Sequence, residues 1–181
     1  MNTESNPENL LGALKDLETW LHTEGIVLEL QIIGSFAFYL QGANYIRTRD
    51  IDTIQDLDEK IIERIKLIAS QRGLVSLWLN DNSFGIPRPE GFESRLLEIK
   101  IGEHLILKIA SRKDLIMLKA AAYIDRGNEN PKDLVDLKRL NPSSAEIDEA
   151  IRFIQETRRP EKPKFYPNYQ EMIEDIRNVG R

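Results

Sequence analysis

The chain has 181 residues, of which 41% are hydrophobic and 30% are charged, and its formal net charge at pH 7 is −5. This length allows one domain with a substantial core, or one domain with a small helical extension. The absence of cysteine excludes disulfides and thiolate zinc sites, and the negative charge argues against a broad basic surface for nucleic acid.

Helical and strand patterns alternate in the first half of the chain. The predicted elements are a helix over 6–22, a strand over 26–34, a short helix over 35–42, a strand over 50–55 and a helix over 56–73. We expect Ser35 to cap the short helix and Gly42 to end it. A capping box should open the next helix at Asp56, and Gly73 should end it.

The second half begins with strands and ends with helices. The predicted elements are a strand over 74–79, a long loop over 80–94, a hairpin of strands 96–101 and 105–110, and helices over 111–125, from 130, over 144–156 and over 168–178. This order predicts an α+β (mixed α/β) fold with helices flanking a mixed sheet. We expect one domain over residues 1–142 and a helical C-terminal extension over 143–181 packed on it.

Asp50 and Asp52 are the strongest candidates for chemistry. Residues two apart on a strand share a face, so these carboxylates repel each other unless a cation lies between them. Mg²⁺ suits such a pair, because it binds through a few carboxylates together with substrate phosphates. The ion would activate a hydroxyl and stabilise a triphosphate during in-line transfer. The alternative is a pair of solvent-facing acids on an edge strand, although aspartate is disfavoured in strands.

Two further motifs near the acids suit phosphate binding. At the bend formed by Gly34 and Ser35, backbone N–H groups and a hydroxyl can hold phosphates, or the serine can simply cap a helix. Arg47 and Arg49 precede the acids and can contact the triphosphate or an acceptor phosphate. The alternative for the arginines is a solvated pair that balances the aspartates. Together with the acids, these motifs indicate metal-dependent nucleotide chemistry.

A third carboxylate is expected to complete the metal site. Glu98 lies in an apolar strand and can join Asp50 and Asp52 from a neighbouring strand, as a metal ligand and a catalytic base. The alternative is a cross-strand pair between Glu98 and Lys108. Asp81, at the end of the third predicted strand, is a competing third acid.

Lys119 is the candidate cation of the helical part. It shares a helix face with Tyr123 and Arg126, and it can neutralise charge on a transferring phosphoryl group. A solvated basic stripe is the alternative interpretation. Asp133 and Asp136 are interpreted as residues of helix capping and i, i+4 pairing, without a chemical role.

The order of motifs along the chain resembles that of the nucleotidyltransferase superfamily that includes DNA polymerase beta. These motifs are a Gly-Ser pair, then Asp-x-Asp, then a later acid. More narrowly, the chain resembles small bacterial nucleotidyltransferase-like domains related to AbiEii-type toxins. The segments that carry this resemblance are GSFAFYL at 34–40, RTRDID at 47–52, LIMLKAAA at 115–122, Arg126 and KDLVDL at 132–137. The resemblance extends over about residues 8–155.

The resemblance implies a nucleotidyltransferase-like mixed sheet and Mg²⁺-dependent transfer of a nucleoside monophosphate from a nucleoside triphosphate. In the AbiEii-type toxins the acceptor is typically RNA, notably the tRNA 3′ end. The implied roles are phosphate binding for Gly34 and Ser35, metal binding for Asp50 and Asp52, and nucleotide contact for Lys119. Two features depart from the family: its third acid is often aspartate rather than a glutamate such as Glu98, and this chain is shorter and more acidic.

Three functional hypotheses follow. The first is a Mg²⁺-dependent nucleotidyltransferase acting on RNA, tRNA or a protein, as the toxin of a toxin–antitoxin pair. The second is a catalytically degenerate member that serves as a binding or regulatory module. The third is a nucleic-acid-binding partner protein without catalysis. The chain contains no run of about 18 apolar residues and does not begin like a signal peptide, so we expect no membrane partner and a cytoplasmic location.

Overall fold

The computed structural model describes residues 7–43, 48–127, 132–158 and 168–180. Within these ranges, seven α-helices and a five-stranded mixed sheet confirm the predicted α+β fold class. No helix among the described residues has the length and apolar character needed to cross a membrane.

The elements follow one another in nearly the predicted order. The helices are α1 (Pro7–Glu24), α2 (Gly34–Leu40), α3 (Glu59–Arg72), α4 (Arg112–Arg126), α5 (Lys132–Leu140), α6 (Ser144–Thr157) and α7 (Tyr169–Val179). The strands are β1 (Leu28–Ile33), β2 (Ile51–Thr53), β3 (Leu79–Asn80), β4 (Leu97–Lys100) and β5 (Leu105–Ile109). A short 3₁₀ helix, Phe92–Arg95, precedes β4.

The chain forms two compact units. The first comprises Met1–Ile86 and Phe92–Ser111, and the second comprises Pro87–Gly91 and Arg112–Arg181. The boundary expected between residues 142 and 143 falls inside the second unit, so α4 and α5 group with the later helices.

The first unit is built on a sheet with strand order β3-β2-β1-β5-β4. The pairs β1–β5 and β2–β3 are parallel, whereas β1–β2 and β4–β5 are antiparallel. One face of the sheet forms part of the core, because its side chains are fully buried; they include Leu30, Ile32, Leu105, Leu107 and Ile109. Since side chains alternate along a strand, the polar residues Gln31 and Lys108 lie on the opposite face.

Several predicted boundaries in the first unit are wrong for local reasons. Asp58, not Asp56, caps α3: its carboxylate accepts a hydrogen bond from the Ile61 N–H, because the helix begins at Glu59 and not at residue 57. Ser35 is not the N-cap of α2: the helix begins at Gly34, so Ile33 occupies the N-cap position and makes no side-chain cap hydrogen bond. The third strand is reduced to β3, since the preceding residues form a turn instead.

The second unit is a helical assembly around α4. Its core consists of apolar residues from α4, α6 and α7, among them Ile116, Ala120, Ile124, Ala150, Ile154, Met172 and Ile176. A capping box opens α6: the Ser143 hydroxyl accepts from the Glu146 N–H, and the Glu146 carboxylate accepts from the Ser143 N–H. This confirms the predicted start of α6.

Candidate functional site

The carboxylate of Asp52 lies directly against the Gly-Ser bend. The antiparallel register of β1 and β2 pairs Ile33 with Asp52, which places the carboxylate beside Gly34. A Cβ atom added to Gly34 would lie 2.5 Å from Asp52 Oδ2, which is closer than real Cβ contacts allow. Gly34 also has φ +71°, a conformation that L residues rarely adopt. The backbone conformation therefore favours glycine at this position, and any side chain there would have to displace the Asp52 carboxylate.

This geometry predicts a specific effect of Gly34→Ala. The left-handed conformation alone should cost about 1–2 kcal/mol of unfolding free energy, and the new methyl group should also displace the Asp52 carboxylate. Gly25→Ala is the matched control, because Gly25 has φ +65° and no atom lies within 4 Å of its Cβ position. Urea denaturation of both variants should show the larger loss for Gly34→Ala.

A second background separates the two causes. In an Asp52→Ala chain the carboxylate is gone, so Gly34→Ala should cost only as much as Gly25→Ala does. An equal cost of Gly34→Ala in both backgrounds would contradict the close approach.

Asp50 lies immediately before β2 and is held by Thr48. The Thr48 hydroxyl donates to the Asp50 carbonyl at 2.8 Å and lies 3.2 Å from its Oδ1. The structure therefore places the Asp52 carboxylate beside Gly34 and Asp50 two residues before it, just before the start of β2.

The structure does not bring Glu98 to these aspartates. β1 and β5 lie between β2 and β4, which separates the two strands by about 14 Å at the usual strand spacing. Glu98 is instead paired in register with Lys108, whose hydrogen bond and charge hold the pKa of the Glu98 carboxyl below its ordinary value. The expected triad with Glu98 is corrected accordingly: the cross-strand pair is what the structure contains.

Asn80, not an acid, is the register partner of Asp52 on β3. Its amide is engaged with the backbone: Oδ1 accepts from the Asn82 N–H at 3.1 Å, and Nδ2 donates to the Ile51 carbonyl at 3.4 Å. Asp81, the competing third acid, accepts from the Leu57 N–H. Among the described residues, no cluster of three or more His, Cys, Asp or Glu side chains is suited to hold a metal ion.

Two aspartates are thus the protein ligands that this site offers from the described part of the chain. Hard oxygen donors in this small number fit Mg²⁺, which usually keeps waters and substrate phosphates as its other ligands. The predicted role of Arg47 lies outside the described residues, and Arg49 is an exposed residue just before Asp50.

Lys119 lies in the second unit, in a buried ionic cluster that we name the α4–α5 cluster. Its Nζ lies 3.0 Å from Asp133 Oδ1 and 2.9 Å from Asp136 Oδ2, and Arg126 donates to Asp133 at 2.7 Å. The Lys119 side chain is 8% exposed and the Asp133 side chain 1%. The cluster joins α4 to α5 and balances two positive charges with two negative ones.

The role of Asp133 and Asp136 in this cluster differs from the capping and i, i+4 pairing predicted for them. Asp133, Asp136, Leu137 and Leu140 recur at the i, i+3, i+4, i+7 spacing of one buried helix face, and all four are buried. Two acids on an otherwise apolar helix face are the signal that predicts a buried cation opposite them.

Tyr123 and Arg126 differ in their surroundings, although they share the helix face of Lys119. The Tyr123 hydroxyl donates to Asp175 at 2.8 Å, and burial together with this bond raises the pKa of Tyr123 to about 12. Arg126 keeps 56% of its side chain exposed. The alternative interpretation of this face as a solvated basic stripe is therefore wrong, because Lys119 and Tyr123 are buried.

Comparison with known proteins gives one result. A family model described as "Nucleotidyltransferase of unknown function (DUF6036)" matches residues 8–177. Neither the curated proteins nor the solved structures that were searched contain a match to the chain.

Proposed function

The chain belongs to the DUF6036 family of nucleotidyltransferases of unknown function, and we propose that it transfers a nucleoside monophosphate from a nucleoside triphosphate in a Mg²⁺-dependent reaction. The observation that carries this proposal is the Asp52 carboxylate lying against Gly34, with Asp50 two residues away. A metal-binding acid next to a phosphate-binding bend is what nucleotidyl transfer requires.

Each of the described site residues has a separate role in the proposed reaction. Asp50 and Asp52 would hold Mg²⁺, which when bound neutralises charge on the triphosphate and favours ionisation of the acceptor hydroxyl. The backbone N–H groups and the Ser35 hydroxyl at the bend would bind phosphate oxygens and orient the α-phosphate. The acceptor oxygen then forms a bond to the α-phosphorus while the bond to the β-phosphate breaks and pyrophosphate leaves. One of the two carboxylates would accept the proton of the acceptor hydroxyl.

Charge distribution favours a protein or small-molecule acceptor over RNA. The first unit, which contains both aspartates, carries 16 Asp and Glu against 10 Lys and Arg, while the second carries 14 against 15. A net charge of −6 on the first unit repels a polyanion, because nucleic-acid affinity depends on neutralised phosphates. Since the reaction draws on cellular triphosphates, we place the protein in the cytoplasm.

The resemblance to AbiEii-type toxins supports the RNA alternative. If the tRNA 3′ end is the acceptor, modification would block its use in translation, and the chain would be a toxin that requires an antitoxin partner. Induced expression would then arrest growth, and Asp52→Asn would relieve the arrest.

The testing experiment is a labelled-transfer assay. The purified chain is incubated in cell extract with Mg²⁺ and, in turn, each nucleoside triphosphate labelled at the α-phosphate. Compared with extract that lacks the chain, we expect added label to enter a fraction that protease removes and ribonuclease spares, or a small-molecule product, and the chain to add no label from γ-labelled triphosphate. Label that ribonuclease removes would instead select RNA as the acceptor. No labelled product with any triphosphate would contradict the proposal.

The second candidate is a degenerate nucleotidyltransferase-fold module, and the observation that favours it is Asn80 beside Asp52. Such a module would bind a triphosphate without turning it over. Isothermal titration with each triphosphate, together with the transfer assay, separates the two functions. If the lack of an acid at position 80 is what prevents turnover, Asn80→Asp should raise transfer above that of the unmodified chain.

A further inference from the structure

β4 leaves one edge of the sheet exposed. It is the terminal strand of the sheet, and no other strand among the described residues pairs with its outer side. Leu97 is 48% exposed although it is apolar, and the side chains of Glu98 and Lys100 are 44% and 67% exposed. An exposed strand edge is a template for pairing with another chain unless its residues oppose it.

The hydrogen bonds of β4 determine which backbone groups point outward. The Ile101 N–H donates to the Leu105 carbonyl at 3.0 Å, so this pair belongs to the hydrogen-bonded positions of the ladder. These positions alternate in an antiparallel pair, so the backbone groups of Leu97 and Ile99 also face β5. The N–H and C=O groups of Glu98 and Lys100 therefore point away from the sheet.

We propose that β4 pairs antiparallel with β4 of a second copy of this chain, about a two-fold axis at Ile99. This register places Glu98 opposite the partner's Lys100 and Lys100 opposite the partner's Glu98. Both are positions whose backbone groups point outward, so each exchanges two hydrogen bonds with its counterpart. The result is a continuous sheet through both copies.

Charge excludes the neighbouring registers. The outward amides permit two-fold axes only at Glu98, Ile99 or Lys100 within β4. An axis at Glu98 places two glutamates directly opposite each other, and an axis at Lys100 does the same with two lysines. Like charges directly opposite destabilise an antiparallel pair, whereas opposite charges stabilise it. Only the axis at Ile99 is therefore self-complementary.

The apolar side chains of β4 also fit the register with the two-fold axis at Ile99. Leu97 and Ile99 alternate with the charged pair and lie on the core side of the sheet, in register with Ile109 and Leu107. An axis at Ile99 brings Ile99 against its own copy and Leu97 against the partner's Ile101, which covers the exposed Leu97. Because one short strand buries less than the roughly 1,200 Å² of a stable interface, we expect a weak, concentration-dependent dimer.

Sedimentation velocity over a range of concentrations tests the proposal. Glu98→Lys and Lys100→Glu should each weaken self-association by at least about tenfold, because each places like charges opposite each other. An equimolar mixture of the two variants should form a heterodimer, since all opposed pairs are then of opposite charge. Lys66→Glu, an exposed charge reversal on α3, is the control and should leave self-association unchanged.

Melting temperatures show whether each variant is still folded. Lys100→Glu also retains the ion pair between Glu98 and Lys108. A chain that stays monomeric at every concentration would overturn the proposal. A dimer that tolerates both single reversals, or a mixture that fails to associate, would overturn it as well. The test is independent of the nucleotidyltransferase site, since β4 lies at the opposite edge of the sheet from β3 and β2.

Discussion

Asp52→Asn should lower Mg²⁺-dependent nucleotidyl transfer by at least about 100-fold while leaving the fold intact. Mutation of residues that only hold metal ligands in place typically lowers metal affinity or activity about 10–100-fold. Because we propose Asp52 as a direct ligand, its replacement should lower activity by at least as much. The amide has nearly the shape of the carboxylate, so it fits against Gly34, but it lacks the negative charge that would hold the ion. The loss should therefore appear in transfer and not in the melting temperature.

Two matched variants test whether the loss of transfer is specific to Asp52. Asp56→Asn removes the same charge from an exposed residue of the first unit and should leave transfer unchanged. Glu98→Gln should also retain activity, because β1 and β5 separate β4, which carries Glu98, from β2, which carries Asp52. Transfer at the normal rate in Asp52→Asn would remove Asp52 from the mechanism, and loss of transfer in Glu98→Gln would restore Glu98 as a candidate.

Lys119→Met should reduce the free energy of unfolding by about 3–5 kcal/mol. Removing one partner of a buried ion pair leaves an uncompensated charge in a site from which water is excluded. Here the loss of Nζ removes the ammonium that contacts both Asp133 and Asp136, and the contact of Arg126 is with Asp133. We expect this cost in the second unit, where α5 depends on the cluster for its attachment to α4.

Urea denaturation measures this cost, and Lys113→Met on the same helix provides the control. Lys113 pairs with Glu149, but their side chains are 45% and 32% exposed, so this pair should contribute less than about 1 kcal/mol. Adding Asp136→Asn to Lys119→Met should recover part of the loss, because it removes one of the two opposed charges.

The same variant distinguishes a structural Lys119 from a nucleotide-binding one. If Lys119 contacts the nucleotide, as the family resemblance implies, Lys119→Met would weaken triphosphate binding while the fold remained stable. A large loss of stability, with triphosphate binding preserved in the folded fraction, would assign Lys119 to the α4–α5 cluster alone. Titration under conditions where the variant is folded provides the second measurement.

Elements that depend on local patterns could be predicted from the amino-acid sequence alone. α1, α6 and the β4–β5 hairpin lie close to where apolar periodicity, capping residues and turn residues predict them. The Asp-x-Asp pair and the Gly-Ser bend were also recognisable, because each depends on residues only a few positions apart. These features need no knowledge of how distant segments meet.

The tertiary structure decided everything that depends on which segments become neighbours. Glu98 was the predicted third acid and Asp81 its competitor, but the strand order places β4 far from β2 and Asn80 beside Asp52. Likewise, only the packing of α5 on α4 shows that Lys119, predicted to contact the nucleotide, is buried against Asp133 and Asp136. Strand order and helix packing are set by the burial of the whole apolar surface, which is a property of the complete chain and not of any one segment.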